Sequence, residues 1–224
     1  MRYLILDLET LPIDNAADFV TTDDISAPSN YKDPDKIAAY VEAERVKRIE
    51  AAALDLDLAQ IIAIGLCDGD GAASVWTPEG QSEAAMISLI ADQLRKDEFL
   101  KLVTFNGFKY DLPLIQRRAR YLGVDFPRIN LDRYRSPHID LYEELTLKGA
   151  VRAHGLRWYA RRHGWTDLLD ADPLTDGGAD VAQAAKDGRW EDIAAHAKVD
   201  AQITYRLALW LGVITPEARE ESVL

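Results

Sequence analysis

A single cysteine, Cys67, stands among 224 residues. One thiol can form neither an internal disulfide nor a cysteine-based zinc site. Its place in the apolar run "IIAIGLC" reads as a buried, inert side chain. Long apolar runs are scarce as well. The N-terminal "YLIL" is far shorter than a signal-peptide core or a membrane span, so a cytoplasmic protein without a membrane partner is expected. Positive charge is also in deficit, with 26 Lys/Arg against 38 Asp/Glu and a net charge of −12. That balance argues against broad electrostatic capture of nucleic acid. The deficit is uneven, however. Residues 109–163 hold 12 Lys/Arg and six Asp/Glu, a local net of +6 against −18 for the remainder. Such a basic middle can face a polyanion or simply form solvated helix faces.

What is present is ordinary globular composition, 48% hydrophobic and 29% charged. The length suits one domain over residues 1–224, with a helical and loop insertion at about 12–58. The first strand is expected at about 2–8. Within the insertion, Asp33 before Pro34 marks the start of a charged amphipathic helix. "AQIIAIGLCD" and "AASVWT", joined by "GDG", read as a hairpin. "SEAAMISLIADQLRK" has helical apolar spacing, "LKLVTFNG" is a buried strand, and "LPLIQRRARYLG" is a helix stopped at Gly123. "SPHIDLY" can supply another strand. From "HGLRWYARRHG" onward the pattern is helical, with a loop across "DADPLTDGGAD". Alternating strands and helices with an early hairpin predict a mixed sheet flanked by helices, an α/β fold.

Three acidic features bear on function. Asp7 and Glu9 in "YLILDLET" share one face of a strand. At a separation of roughly 6 Å and an effective dielectric near 20, their repulsion is about 3 kcal/mol. Open water or an intervening cation must offset it. Asp111, in "NGFKYDLPLI", follows a strand and opens a helix, where it is either a functional acid or a helix cap. His196 and Asp200, in "HAKVDAQITYRLALWL", lie four residues apart on one helix face. They are either part of a site or a solvated pair.

Taken in order, these motifs resemble the DEDD family of 3′–5′ exonucleases: D-x-E near the start, N-x(3)-[FY]-D about a hundred residues on, and His four residues before a last Asp. The likeness spans residues 3–211. It is closest to the stand-alone bacterial and phage exonucleases similar to polymerase proofreading domains. "SNYKDPDKIAAY", "HIDLYEELTLKGA", "HGLRWYARRHG" and "WEDIAAHAKVDAQITYRLAL" follow that branch's ordering. The resemblance implies a ribonuclease-H-like five-stranded sheet with an antiparallel hairpin and parallel strands. It makes Asp7, Glu9, Asp111 and Asp200 ligands of two divalent cations, Mg²⁺ or Mn²⁺. It also implies hydrolysis from a nucleic-acid 3′ end, DNA favoured, releasing nucleoside 5′-monophosphates, with a polymerase or another replication or repair protein as a further partner. Thr10 and Asn106 then lie near the terminal nucleotide, while Asp140 is structural. The chain departs from the family at H-x(3)-D, which puts histidine at the spacing used for tyrosine.

The chemistry is consistent with this. Four carboxylates match the charge of two divalent cations, and hard oxygen donors suit Mg²⁺ or Mn²⁺. Paired metals clamp both sides of an in-line displacement. A histidine with a pKa near 6.5 is neutral at pH 7–8 and can take a proton from water. Arg161 and Arg162 are candidates for phosphate contact, and Phe108, Tyr110, Trp158 and Tyr159 are expected mainly in the core rather than stacked on bases. Two rival assignments are a catalytically inactive nucleic-acid-binding or replisome scaffold module on the same fold, and a haloacid-dehalogenase-type phosphatase. The latter requires Asp where Glu9 stands.

Overall fold

The computed structural model describes residues 2–175 and 177–215. Its elements, in chain order, begin with strand β1 (Tyr3–Pro12), helices α1 (Ala16–Phe19) and α2 (Pro34–Ala51), and strands β2 (Ala59–Asp68) and β3 (Ala73–Trp76). Helix α3 (Glu83–Lys96), strand β4 (Lys101–Thr104), helix α4 (Asp111–Tyr121), strand β5 (Ile139–Asp140) and helix α5 (Leu141–Leu145) follow. The chain continues through α6 (Leu156–His163), α7 (Thr166–Asp170), α8 (Gly178–Lys186) and α9 (Trp190–Trp210). The strands form a five-stranded sheet in the order β3-β2-β1-β4-β5. β2 and β3 pair antiparallel, whereas β1–β4 and β4–β5 are parallel. The expected mixed sheet flanked by helices is therefore present. Among the described residues, no helix is long and apolar enough to cross a membrane.

Two compact units share the chain: Met1–Glu9 with Ile61–Leu224, and Thr10–Gln60. The expected domain limit of 224 falls outside the described residues. In the smaller unit Asp33 accepts the Asp35 N–H at 3.0 Å and Pro34 opens α2, as the Asp-Pro start predicts. The Ile13 N–H donates to the Leu58 carbonyl at 2.8 Å, and Arg45 donates to the carbonyls of Ala17 and Val20. β1 runs to Pro12, four residues beyond the expected end.

In the larger unit, β1 and β4 carry consecutive buried residues (Leu4, Ile5 and Leu6; Leu102 and Val103) because central parallel strands are covered on both faces. Ile5, Cys67, Val103, Leu141, Ala201, Leu207 and Ala208 form one core cluster, which places α9 against the sheet. Burial pushes the Cys67 thiol up to about 12, in keeping with an inert side chain. Tyr159 belongs to that core. Trp158, also expected inside, is instead 41% exposed and stacks on His154 with ring centroids 3.9 Å apart. Arg118 on α4 donates through Nε and Nη2 to Glu83 on α3 at 2.7 and 2.6 Å, and Glu83 also accepts the Ile61 N–H. This bidentate pair ties two helices to β2.

Gly65 controls how closely α9 approaches. A Cβ there would lie 2.2 Å from the Ala197 carbonyl oxygen, one residue from His196. Gly80 has no neighbour nearer than 4.0 Å to such a Cβ. Gly65→Ala is expected to cost about 2–3 kcal/mol as overpacking, a fall of roughly 5–10 °C in Tm for a domain of this size. Gly80→Ala should leave Tm nearly unchanged. Thermal unfolding of the two variants by circular dichroism checks both.

Candidate metal centre

β1 delivers the first two acids. Side-chain alternation sets Asp7, half-buried, and Glu9, buried, on the same face. β4 delivers the third through a tightly held turn. Asn106 adopts φ +62°, and a Cβ on Gly107 would meet the Thr104 side chain at 2.5 Å. Asp140, from β5, clamps this turn by accepting the N–H groups of Asn106 at 2.7 Å and Phe108 at 3.0 Å, together with that of Tyr142 at 2.9 Å. Its carboxylate is thus occupied by backbone, in line with a structural role. Asp111 then begins α4, with Tyr110 rather than Asp111 in the cap position. Asp111 accepts hydrogen bonds from its own N–H and from that of Leu8, the residue between Asp7 and Glu9. Capping is therefore not its main use.

α9 delivers the rest. His196 is buried, not solvated, and Asp200 lies one turn further on. Glu9, His196 and Asp200 each offer a ligand atom, all within 4.8 Å of one another. His196 Nε2 lies 3.5 Å from Glu9 Oε1 and 3.9 Å from Asp200 Oδ2. Burial and then the charges of Glu9, Asp200 and Asp111 hold the Asp7 carboxyl well above the usual carboxylate range. Burial pushes Glu9 up to about 7, Asp200 and Asp111 adding to the effect while His196 and Arg157 oppose it. Burial also pushes Asp111 up to about 7, with its backbone hydrogen bonds pulling the other way. Asp200 is raised mainly by burial, against the pull of His196 and Arg157. The structure thus brings Asp7, Glu9, Asp111, His196 and Asp200 together.

The other expected site residues lie in varied surroundings. Thr10 follows Glu9 on β1, and its hydroxyl donates to the Ala53 carbonyl at 2.7 Å. Asn106 is half-buried in the turn before Asp111. Arg161 and Arg162 are exposed on α6. One turn earlier on α6, Arg157 reaches the acids: its Nη2 donates to Asp200 Oδ1 at 3.4 Å and pairs with Asp172 Oδ2. Asp172 in turn lies 2.9 Å from His196 Nδ1. The basic-stretch count includes Arg157 without distinguishing it. Asp172 gives no local signal, because the contact that matters is to a residue 24 positions away.

Four carboxylates, Glu9 and Asp111 buried and Asp7 and Asp200 half-buried, share one guanidinium, which balances only part of their charge, and their donors are all oxygen. That set fits a hard divalent cation such as Mg²⁺ or Mn²⁺.

Residues 52–222 match a family model described as a predicted 3′–5′ exonuclease related to the exonuclease domain of PolB. No curated protein matches the chain. Among solved structures, the family B DNA polymerase from the hyperthermophilic archaeon Pyrobaculum calidifontis is similar, with a TM-score of 0.59 and 18% identity. The similarity covers 94% of this chain but only 24% of the polymerase.

The raised carboxyls have a consequence for stability. In the folded chain Glu9 and Asp111 keep protons up to about 7, whereas unfolded carboxyls lose them near their usual values. Folding therefore takes up protons between these limits, and stability in EDTA falls as pH rises through that window. Asp7→Asn removes one charge from the cluster. It is expected to raise Tm at pH 8 in EDTA by about 4 °C, on the order of 1–2 kcal/mol, and to do much less at pH 5. Calorimetric scans at the two pH values check the sign.

Proposed function

The chain belongs to the predicted 3′–5′ exonucleases related to the exonuclease domain of PolB, and we propose that it hydrolyses phosphodiester bonds from nucleic-acid 3′ ends in a metal-dependent reaction, DNA being the favoured substrate. The observation that carries this is the convergence of Asp7, Glu9, Asp111 and Asp200 from β1, α4 and α9 on one buried cluster. These four carboxylates would hold two Mg²⁺ or Mn²⁺ ions. Bound there, such ions supply Lewis-acid polarisation of the phosphoryl group and a water nucleophile at neutral pH.

The side chains perform the remaining tasks. Water attacks phosphorus, the bond to the 3′ oxygen of the preceding nucleotide breaks, and a nucleoside 5′-monophosphate leaves. His196 orients the attacking water and accepts its proton at Nε2, the ring nitrogen nearest Glu9 and Asp200. Thr10 and Asn106 contact the terminal nucleotide. Arg161 and Arg162, exposed one turn beyond Arg157, contact phosphates of the strand. The substrate's charge is drawn to the loaded centre and this basic helix, even though the whole chain is net −12. A polymerase or another replication or repair protein would supply the frayed ends.

The deciding experiment is digestion of a 5′-labelled single-stranded oligonucleotide with Mn²⁺ or Mg²⁺. A ladder shortening from the 3′ end is expected, and it should vanish with EDTA and in Asp7→Ala. Internal cuts or undiminished cleavage in Asp7→Ala would contradict the proposal. His196→Ala is expected to lower kcat by about 10²–10⁴ as removal of a general base, and a loss below about tenfold would make the ring a packing residue. Arg161→Ala/Arg162→Ala should weaken oligonucleotide binding and flatten its dependence on salt, measured by fluorescence anisotropy.

A further inference from the structure

Given the exonuclease activity proposed above, we propose that Asp172 is a positioning residue: it holds the Nδ1 edge of His196 so that Nε2 faces Glu9 and Asp200, and it anchors Arg157 beside them. Asp172 lies just beyond α7, and its side chain has no solvent exposure. Two fixed donors reach the carboxylate, and a ring nitrogen lies against it. The Leu174 N–H donates to Oδ1 at 2.8 Å, Arg157 Nη2 pairs with Oδ2, and His196 Nδ1 stands 2.9 and 3.1 Å from the two oxygens. A carboxylate paired with a guanidinium can only accept.

These contacts favour one tautomer of the histidine. Arg157 Nη2 also lies 3.2 Å from His196 Nδ1. If Nδ1 accepted from Arg157, its lone pair would face an Asp172 oxygen at 2.9 Å, which is repulsive. With the hydrogen on Nδ1, that short contact becomes a charge-assisted hydrogen bond. Arg157 then pairs with the same carboxylate rather than with the ring. A neutral ring protonated at Nδ1 carries its lone pair on Nε2. That nitrogen points at the acidic cluster, where a water proton can be received. Were the hydrogen on Nε2, the ring would donate to Glu9 and could accept nothing there. A carboxylate behind a catalytic imidazole does the same job in hydrolytic triads.

The same carboxylate restrains Arg157, whose other contact is Asp200 Oδ1 at 3.4 Å. Thus one buried acid, on a loop that supplies none of the four cluster carboxylates, sets the direction of both groups that can move or balance charge at the centre.

Two measurements test this together. Imidazole ¹⁵N shifts of the wild-type chain in EDTA at pH 8, with the His196 signals assigned by their loss in His196→Gln, should show Nδ1 protonated. In Asp172→Asn the population should move toward the Nε2-protonated form. With oligonucleotide substrate and Mn²⁺, Asp172→Asn is expected to lower kcat by about ten- to a hundredfold, as loss of an outer-shell partner does, with KM changed less than twofold. In the His196→Ala background the same change should cost clearly less, because the share that acts through the ring is already lost and only the anchoring of Arg157 remains. An Nε2-protonated ring in the wild type, or an equal loss from Asp172→Asn with and without His196, overturns the proposal. The wild-type tautomer decides even if Asp172→Asn fails to fold. A chain that hydrolyses no phosphodiester overturns the exonuclease activity instead, while the tautomer, read without substrate, still decides the Asp172–His196 bond.

Discussion

Mutual repulsion among carboxylates in a poorly solvated cleft is the constraint around which this structure is built. Two unit charges about 5 Å apart at an effective dielectric near 20 repel by about 3 kcal/mol, and the cluster contains several such pairs. No fold gains stability from that arrangement alone. Burial first, and for Asp7 and Glu9 the neighbouring acid charges after it, raises the affinity of Asp7, Glu9 and Asp111 for protons. The surrounding architecture holds the acids in place against their repulsion. Parallel pairing of β1 with β4 aligns the Asp7–Glu9 face with the exit toward Asp111. Asp140 holds that exit turn with three backbone hydrogen bonds. The absence of a side chain at Gly65 lets α9 come close enough to bring His196 and Asp200 in.

The protein supplies only part of the missing positive charge. Arg157 pulls on Asp7, Glu9 and Asp200, yet its guanidinium is shared with Asp172. Pairing Arg157 with Asp172 leaves the four cluster acids almost as uncompensated as before. That division of labour makes chemical sense if divalent ions complete the charge balance and Asp172 serves geometry rather than charge. A buried ion pair of this kind adds little net stability, since desolvation consumes most of the Coulombic gain. What it adds is a fixed direction for the imidazole and guanidinium.

Much of this was legible in the sequence, and the boundary of legibility has a physical reason. Local signals read well. Asp33–Pro34 starts α2, the hairpin forms around "GDG", and Gly123, at φ +69°, ends α4. Asp7 and Glu9 share a face because strand alternation is a local property. The choice between capping and function for Asp111 needed the fold, since the hydrogen bond from Leu8 joins residues about a hundred positions apart. The burial of His196 depended in the same way on what α9 packs against. Asp172 was illegible: its loop composition predicts a turn, and only tertiary contact sets it behind His196. Among the arginines of α6, helical phase decided. Arg157 turns toward the acids while Arg161 and Arg162 remain exposed.

If the cluster exists to hold divalent ions, binding them must expel the protons that the fold keeps on Glu9 and Asp111. Isothermal titration of Mn²⁺ at pH 6.5 in buffers of different ionisation enthalpy measures that number directly. Saturable binding accompanied by proton release, both lost in Asp200→Asn, is the predicted result. Binding without proton release, or binding indifferent to Asp200, would contradict the view that these acids are held together for a metal.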